Sequence, residues 1–335
     1  MTLERSKINN FICFDLEGPL SPQDNAYDLM KLIPDGDKLF EVISRYDDLL
    51  TMEGRAGYEP GDTLALIVPF LVGHNISEAD ITTLAARATL TGGAAELVAT
   101  IKESGWEVFC ISTTYEQYAR HITRKLGIAA DRVACTKFPL DRFSLKLSGD
   151  DAALLQRFER DILSIAADDD KIKQKLDDFF WKKLPRTGLG AAIKRVKPIG
   201  GRRKVTALKK FSASFGRLLS RWVVVGDSIT DFRMLKAVNQ AQGLAIAFNA
   251  NQYALPYATM SLASAAISDL APVLTAWRSG GRGAARQMVT TREKDGGKEN
   301  RGYFHWLSGE RDLYNVIARH RQIRGLVREA AGKLG

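Results

Sequence analysis

Apolar positions along this chain fall into two alternating kinds of segment: short unbroken runs, and longer stretches in which they recur every three or four residues. Phe11-Ile12-Cys13-Phe14 is a run of the first kind, ending at Asp15, with Gly18-Pro19 and Ser21-Pro22 breaking the chain just beyond it. It predicts a buried strand with acidic residues at its carboxyl end. Trp106 to Ile111, ending at Ser112, and Trp222-Val223-Val224-Val225, ending at Gly226-Asp227, read the same way, and Leu244 to Phe248 is a fourth candidate. Helical spacing runs from Ala26 to about Ala88, as in Leu29, Leu32, Ile33 and then Leu39, Val42, Ile43. Further helices are predicted from Thr91 to Gly105, through Lys125, over residues 150 to 183, and from Lys204. Pro185 to Arg203 reads as a loop rich in Gly and basic residues. After Trp277, a Gly- and Arg-rich stretch through Gly302 predicts a flexible linker, followed by a basic helix from about Gly309 to Lys333. Strands alternating with helices predict an α/β fold with a largely parallel, Rossmann-like sheet, whose ligand loops lie at the strand carboxyl ends.

Composition narrows the class. The 335 residues are 45% apolar and 26% charged, which excludes a disordered or fibrous chain. The longest nearly uncharged apolar run, Thr63 to Gly73, is about half of the ~20 residues a bilayer span needs. The opening MTLERSKINN has no signal-peptide apolar region, so a soluble, cytoplasmic protein is expected. Three cysteines, Cys13, Cys110 and Cys135, without CxxC spacing, suggest neither a disulfide framework nor structural zinc. The net charge of +9 is unevenly placed: residues 1 to 178 are net acidic, while residues 179 to 226 hold 13 basic and no acidic residues. Such blocks can attract a polyanion, an acidic membrane or an acidic protein, and a solvated face with no partner reads the same way; nucleic-acid binding is disfavoured, and the helices at 150–183 suit a second cover near the cleft or a self-association surface.

Asp15 and Glu17 sit two apart just beyond a strand, so both carboxyl groups can approach one ligand. Two anions that close call for a cation, and Mg2+, which prefers oxygen ligands and shares its shell with phosphate, fits. Asp227 and Asp231 form a second such pair, and Lys204 lies 23 residues ahead of Asp227. Ser112 and Thr113 offer hydroxyl and backbone N–H donors to a phosphate. Singly, each reads equally as a turn or a helix cap.

Their order is more specific. DLEGPL at 15–20, STTY at 112–115, a lysine at a helix start and GDSITD at 226–231, each acidic or hydroxyl motif following an apolar strand, resemble the haloacid dehalogenase (HAD) superfamily. TLTGGAAELVATIKESG before the second motif and GLAIAFNANQYALPYA after the fourth bring the resemblance to the phosphoserine-phosphatase-like branch. The opening DLEGPLSPQDNAY is also similar to HAD-type proteins called energy-converting hydrogenase A subunit R. The resemblance implies an α/β core over residues 1–21 and 91–277 with a helical insert at about 150–185, a helical cap at 22–90, and a basic linker and C-terminal helix over 278–335. It implies Asp15 as nucleophile, Glu17 as general acid/base with its carbonyl on Mg2+, and Asp15 and Asp227 in the metal shell. Asp231 would support that shell or orient Lys204, which would neutralise Asp15 and the phosphate. Ser112 and the Thr113 amide would hold the phosphoryl oxygens, and Asp24 would face the substrate or cap the helix beginning near Asn25.

Three departures from the branch bear on activity. Glu17 stands where aspartate is usual, Thr113 and Thr114 replace two glycines, and Thr63 to Gly73 lacks the cation that holds a substrate carboxylate. Arg45 or Arg55 would have to fold inward to replace it. The expectation is a Mg2+-dependent phosphatase of a small phosphorylated metabolite, a phosphomonoester hydrolase. The alternatives are a weakly catalytic or non-catalytic HAD-fold protein that binds a partner, and a phosphotransferase using the same intermediate. Deleting residues 280–335 is expected to affect hydrolysis little.

Overall fold

A computed structural model of the chain describes residues 10–143, 148–165, 168–294, 302–310 and 312–328. Seven strands form one sheet: β1 (Asn10–Phe14), β2 (Trp106–Tyr115), β3 (Val133–Thr136), β4 (Trp222–Gly226), β5 (Leu244–Phe248), β6 (Met260–Ala263) and β7 (Tyr303–Trp306). Their spatial order is β3-β2-β1-β4-β5-β6-β7, every pairing parallel except β6–β7, which is antiparallel. Alternate residues of the central strands enter two separate cores. Ile12, Phe14, Val108, Cys110, Val223 and Val225 face one side, while Phe11, Cys13, Phe109, Ile111, Trp222 and Val224 face the other. A strand buried on both faces has no polar alternation, which is why these segments read as unbroken apolar runs.

Helices cover both faces. Between β1 and β2 run α1 (Asn25–Met30), α2 (Gly36–Met52), α3 (Thr63–Leu66), α4 (Val68–Gly73), α5 (Glu78–Arg87) and α6 (Ala94–Glu103); α7 (Glu116–Lys125) leads to β3. The second helical segment is α8 (Gly149–Leu163), α9 (Asp169–Asp177), a π-helical turn Asp178–Lys183 and α10 (Gly188–Arg195). It packs on the first: Arg45 pairs with Asp169 at 2.6 Å, and Asp177 receives the Tyr46 hydroxyl at 2.5 Å and Arg55 at 2.7 Å. After α11 (Arg202–Ser214) and β4 come α12 (Phe232–Gln240), α13 (Ala271–Lys294) and α14 (Tyr314–Arg328). Among the described residues no single helix is long and apolar enough to cross a membrane.

Several expectations change. The linker predicted from 278 to 302 is helical through Lys294, broken only where Gly280 and Gly281 leave helical geometry, and Val289 packs its far half into the core. Gly and Arg content misled there, because buried apolar contacts offset the intrinsic cost of glycine; residues 295–301 lie outside the described residues. Tyr303–Trp306, inside the predicted tail, is the antiparallel edge strand β7. The loop Pro185 to Arg203 contains α10, and β2 continues past Ile111 to Tyr115. The C-terminal helix runs from Tyr314 to Arg328 within the described residues.

Candidate active site

β1 and β4 are neighbours, so their carboxyl ends bring Asp15 and Asp227 together although the two are 212 positions apart in the sequence. Asp15 Oδ1 accepts from the Leu16 backbone N–H at 2.8 Å and from Lys204 Nζ at 2.9 Å. Lys204, at the start of α11, is fully buried, and Nζ also reaches Asp231 Oδ1 at 2.7 Å. Burial acts to lower the Lys204 pKa, but Asp15 and Asp231 outweigh it and hold the ammonium charged. Asp231 Oδ2 accepts from the backbone N–H groups of Asp227 (3.0 Å) and Ser228 (3.2 Å). Both Asp231 oxygens are thus engaged by protein. For Asp15, burial and the nearby Asp231 push the carboxyl pKa up, opposed by Lys204.

Glu17 and Asp24 stand on the loop that follows β1. Glu17 accepts from the Asn25 N–H at 2.7 Å, and burial, then Asp24, raises its pKa well above the usual carboxylate range. Asp24 caps α1 through the Tyr27 N–H at 2.9 Å and also lines the cavity. Ser112 is fully buried with its hydroxyl accepting from the Thr114 N–H at 3.2 Å. Thr113 donates to the Ile199 carbonyl at 3.1 Å, and its methyl faces Gly61, whose φ of +91° and lack of Cβ admit it. Arg45 and Arg55, the candidate inward cations, are instead tied to Asp169 and Asp177.

A cavity of about 100 Å3 lies over these groups, closed from the first helical segment by Phe40, Ser44, Asp47 and Asp48 of α2. Asp47 is spoken for: it accepts from the Tyr58 hydroxyl at 2.5 Å and from the N–H groups of Gly61 (3.1 Å) and Thr63 (3.3 Å). Burial and Asp47 push Asp48 up to about 7. Sequence reasoning missed the two cations of the cavity wall. Arg324 and Arg328 of α14 both donate through Nη1 to Asp227 Oδ2, Arg328 at 2.8 Å, and both are nearly fully buried.

The donor set suits a magnesium ion. Carboxylate oxygens of Asp15, Asp227 and Asp231 lie within 4.8 Å of one another. Asp15 Oδ2 and Asp227 Oδ1 receive no hydrogen bond from the described residues. Gly18, at φ +96°, lets backbone pass where a Cβ would overlap the Asp227 carboxylate.

No protein-family model matches the sequence, and comparison with curated proteins found no match. Solved structures do match. The gene product AF1437 from Archaeoglobus fulgidus is 27% identical with a TM-score of 0.85, over 98% of this chain and 99% of that one. A phospho-aspartyl intermediate analogue of phosphoserine phosphatase is 19% identical with a TM-score of 0.51, covering 78% of this chain and 97% of that one. A substrate-bound phosphoserine phosphatase complex gives 19% identity and a TM-score of 0.50 over 79% and 98%. The fold is shared with these phosphoserine phosphatase structures, and this chain extends beyond them.

Proposed function

We propose that this protein is a Mg2+-dependent phosphatase of a small phosphorylated metabolite that works through an aspartyl-phosphate on Asp15. The observation that carries the reading is Lys204 Nζ, fully buried and bridging Asp15 and Asp231 beside Asp227, which joins the loops of three distant motifs in one polar cluster. In this reading Asp15 Oδ2, the oxygen not held by Lys204, attacks phosphorus while Glu17 gives its proton to the leaving alcohol oxygen. The raised pKa of Glu17, caused by burial and then by Asp24, favours the protonated form that this step needs. Glu17, now a carboxylate, takes a proton from water, whose oxygen attacks phosphorus and breaks the bond to Asp15. Inorganic phosphate leaves and both side chains return to their starting forms. Lys204 favours the ionised form of Asp15 against the effect of burial and faces the charge that develops on the phosphoryl oxygens. Asp231 orients Lys204, and the Thr113 amide and Ser112 bind phosphoryl oxygens. A magnesium ion, held by Asp15, Asp227 and the Glu17 carbonyl, would offset the negative charge of the phosphoryl group. The small cavity under α2 favours a small leaving group.

The test is turnover of p-nitrophenyl phosphate and a panel of phosphorylated metabolites with Mg2+, compared with Asp15→Asn. Metal-dependent release of phosphate that the substitution abolishes is expected. A panel without any turnover sensitive to Asp15 would turn the assignment toward a non-catalytic, partner-binding protein, and product that appears only with an added alcohol acceptor would make it a phosphotransferase.

A further inference from the structure

Val316, His320, Arg324 and Arg328 recur at every fourth position of α14 and form its buried face. That face is mostly polar. His320 Nδ1 accepts from the Ala250 N–H at 2.8 Å, and burial pushes its pKa down to about 3, so the ring is neutral. Leu326 and Tyr314 point to solvent. Besides its apolar contacts through Val316 and Ile317, the helix is therefore held mainly by guanidinium groups. Both meet Asp227 Oδ2; Arg328 Nε also donates to the Pro22 carbonyl at 3.0 Å, and Arg324 to the Asn249 carbonyl at 3.2 Å.

Building on the reading that Asp15 and Asp227 hold a divalent cation, we propose that α14 is a tethered counter-cation for Asp227 which competes with that ion. Without metal, the carboxylates of Asp15, Glu17, Asp24 and Asp227 crowd one cavity, and Arg324 and Arg328 supply the charge that lets them remain there. A divalent ion on Asp227 adds two positive charges beside two guanidinium groups, in surroundings from which water is largely excluded. Asp227 Oδ1 stays open to the ion while Oδ2 carries both guanidinium groups, so the two are opposed by repulsion between like charges across one carboxylate. The arginines leave Asp227 as the ion binds, and an element with so little apolar burial is the part of the fold that opens at least cost. Thermodynamic linkage makes the effect reciprocal: whatever the docked helix takes from metal affinity, the metal takes from helix docking.

Mn2+, used as a spectroscopic stand-in for Mg2+, is titrated into the full chain, into Arg324→Gln/Arg328→Gln and into Arg324→Lys/Arg328→Lys, with free ion read by electron paramagnetic resonance. Circular dichroism confirms that each variant is folded. The glutamine variant should bind Mn2+ about tenfold more tightly or better, because two repelling charges are gone. The lysine variant, which keeps the charges, should stay within about threefold of the parent, well inside that gain. Amide hydrogen exchange of the parent should quicken over Tyr314–Arg328 when Mn2+ is added. Equal or weaker metal affinity in the glutamine variant, or slower exchange in α14 on metal addition, overturns the inference and leaves the phosphatase reading standing. No Mn2+ bound by any of the three proteins overturns both.

Discussion

Replacing Lys204 by Met keeps a chain of similar length and removes the charge that separates Asp15 from Asp231. Lys204 Nζ lies 2.9 Å from Asp15 and 2.7 Å from Asp231, all three nearly or wholly buried, so the variant retains two carboxylates without their shared cation. Removing one member of a buried charge network costs about 3–5 kcal/mol, most of it the penalty of the charges left behind. The pH dependence follows from the directions of the shifts. Lys204 stays charged throughout the neutral range in the parent, so its own titration adds nothing there. In the variant, Asp15 loses the cation that lowers its pKa, leaving burial and Asp231 to raise it further. An acid whose folded pKa exceeds its unfolded value loses stability as pH rises between the two values. The deficit of Lys204→Met should therefore be smaller near pH 4, where Asp15 is more protonated, and grow toward pH 8. Urea unfolding followed by circular dichroism at pH 4, 6 and 8 measures it. Adding Asp231→Asn to the variant should restore about half or more of the loss at pH 8 by removing one of the facing charges. A loss under about 1 kcal/mol at pH 8, or one equal at pH 4 and 8, would refute the reasoning from buried charge.

Asp48→Asn removes an acid held at about 7 against its ordinary 3.8. Because that shift costs stability once the group ionises, the variant should gain about 2–4 kcal/mol at pH 8 and almost nothing at pH 4, read by chemical denaturation; an equal gain at both values counts against the buried charge. Gly18→Ala places a methyl against Asp227 at a φ of +96°. We expect a loss of about 2 kcal/mol or more in thermal unfolding together with weaker divalent-metal affinity, whereas an unperturbed metal titration would show that Asp227 takes no part in the site.

Much of the core was legible in the sequence because each of the four strands called from it, β1, β2, β4 and β5, is buried on both faces and leaves an apolar run, unbroken in Phe11–Phe14 and Trp222–Val225 and interrupted by Glu107 alone in Trp106–Ile111. β3, β6 and β7 escaped because each is only four residues long, and β7 sits at the sheet edge inside a basic region. Asp15, Lys204, Asp227 and Asp231 were legible as an ordered set of motifs, and the parallel pairing of β1 with β4 brings the first and last of them together.

The chain alone determined that a largely parallel sheet would form and that acids would sit at its strand ends, since both depend on local runs and their terminators. It left open which cations would answer those acids. Arg324 and Arg328 lie on a basic helix whose pattern, His320, Arg324, Arg328, is indistinguishable by spacing from a solvated face. Arg45 and Arg55, which could replace the missing cation only by folding inward, are drawn instead to Asp169 and Asp177 on the second helical segment. Charge pairing across such distances is a property of how surfaces meet, so tertiary packing chose which arginines the buried carboxylates received.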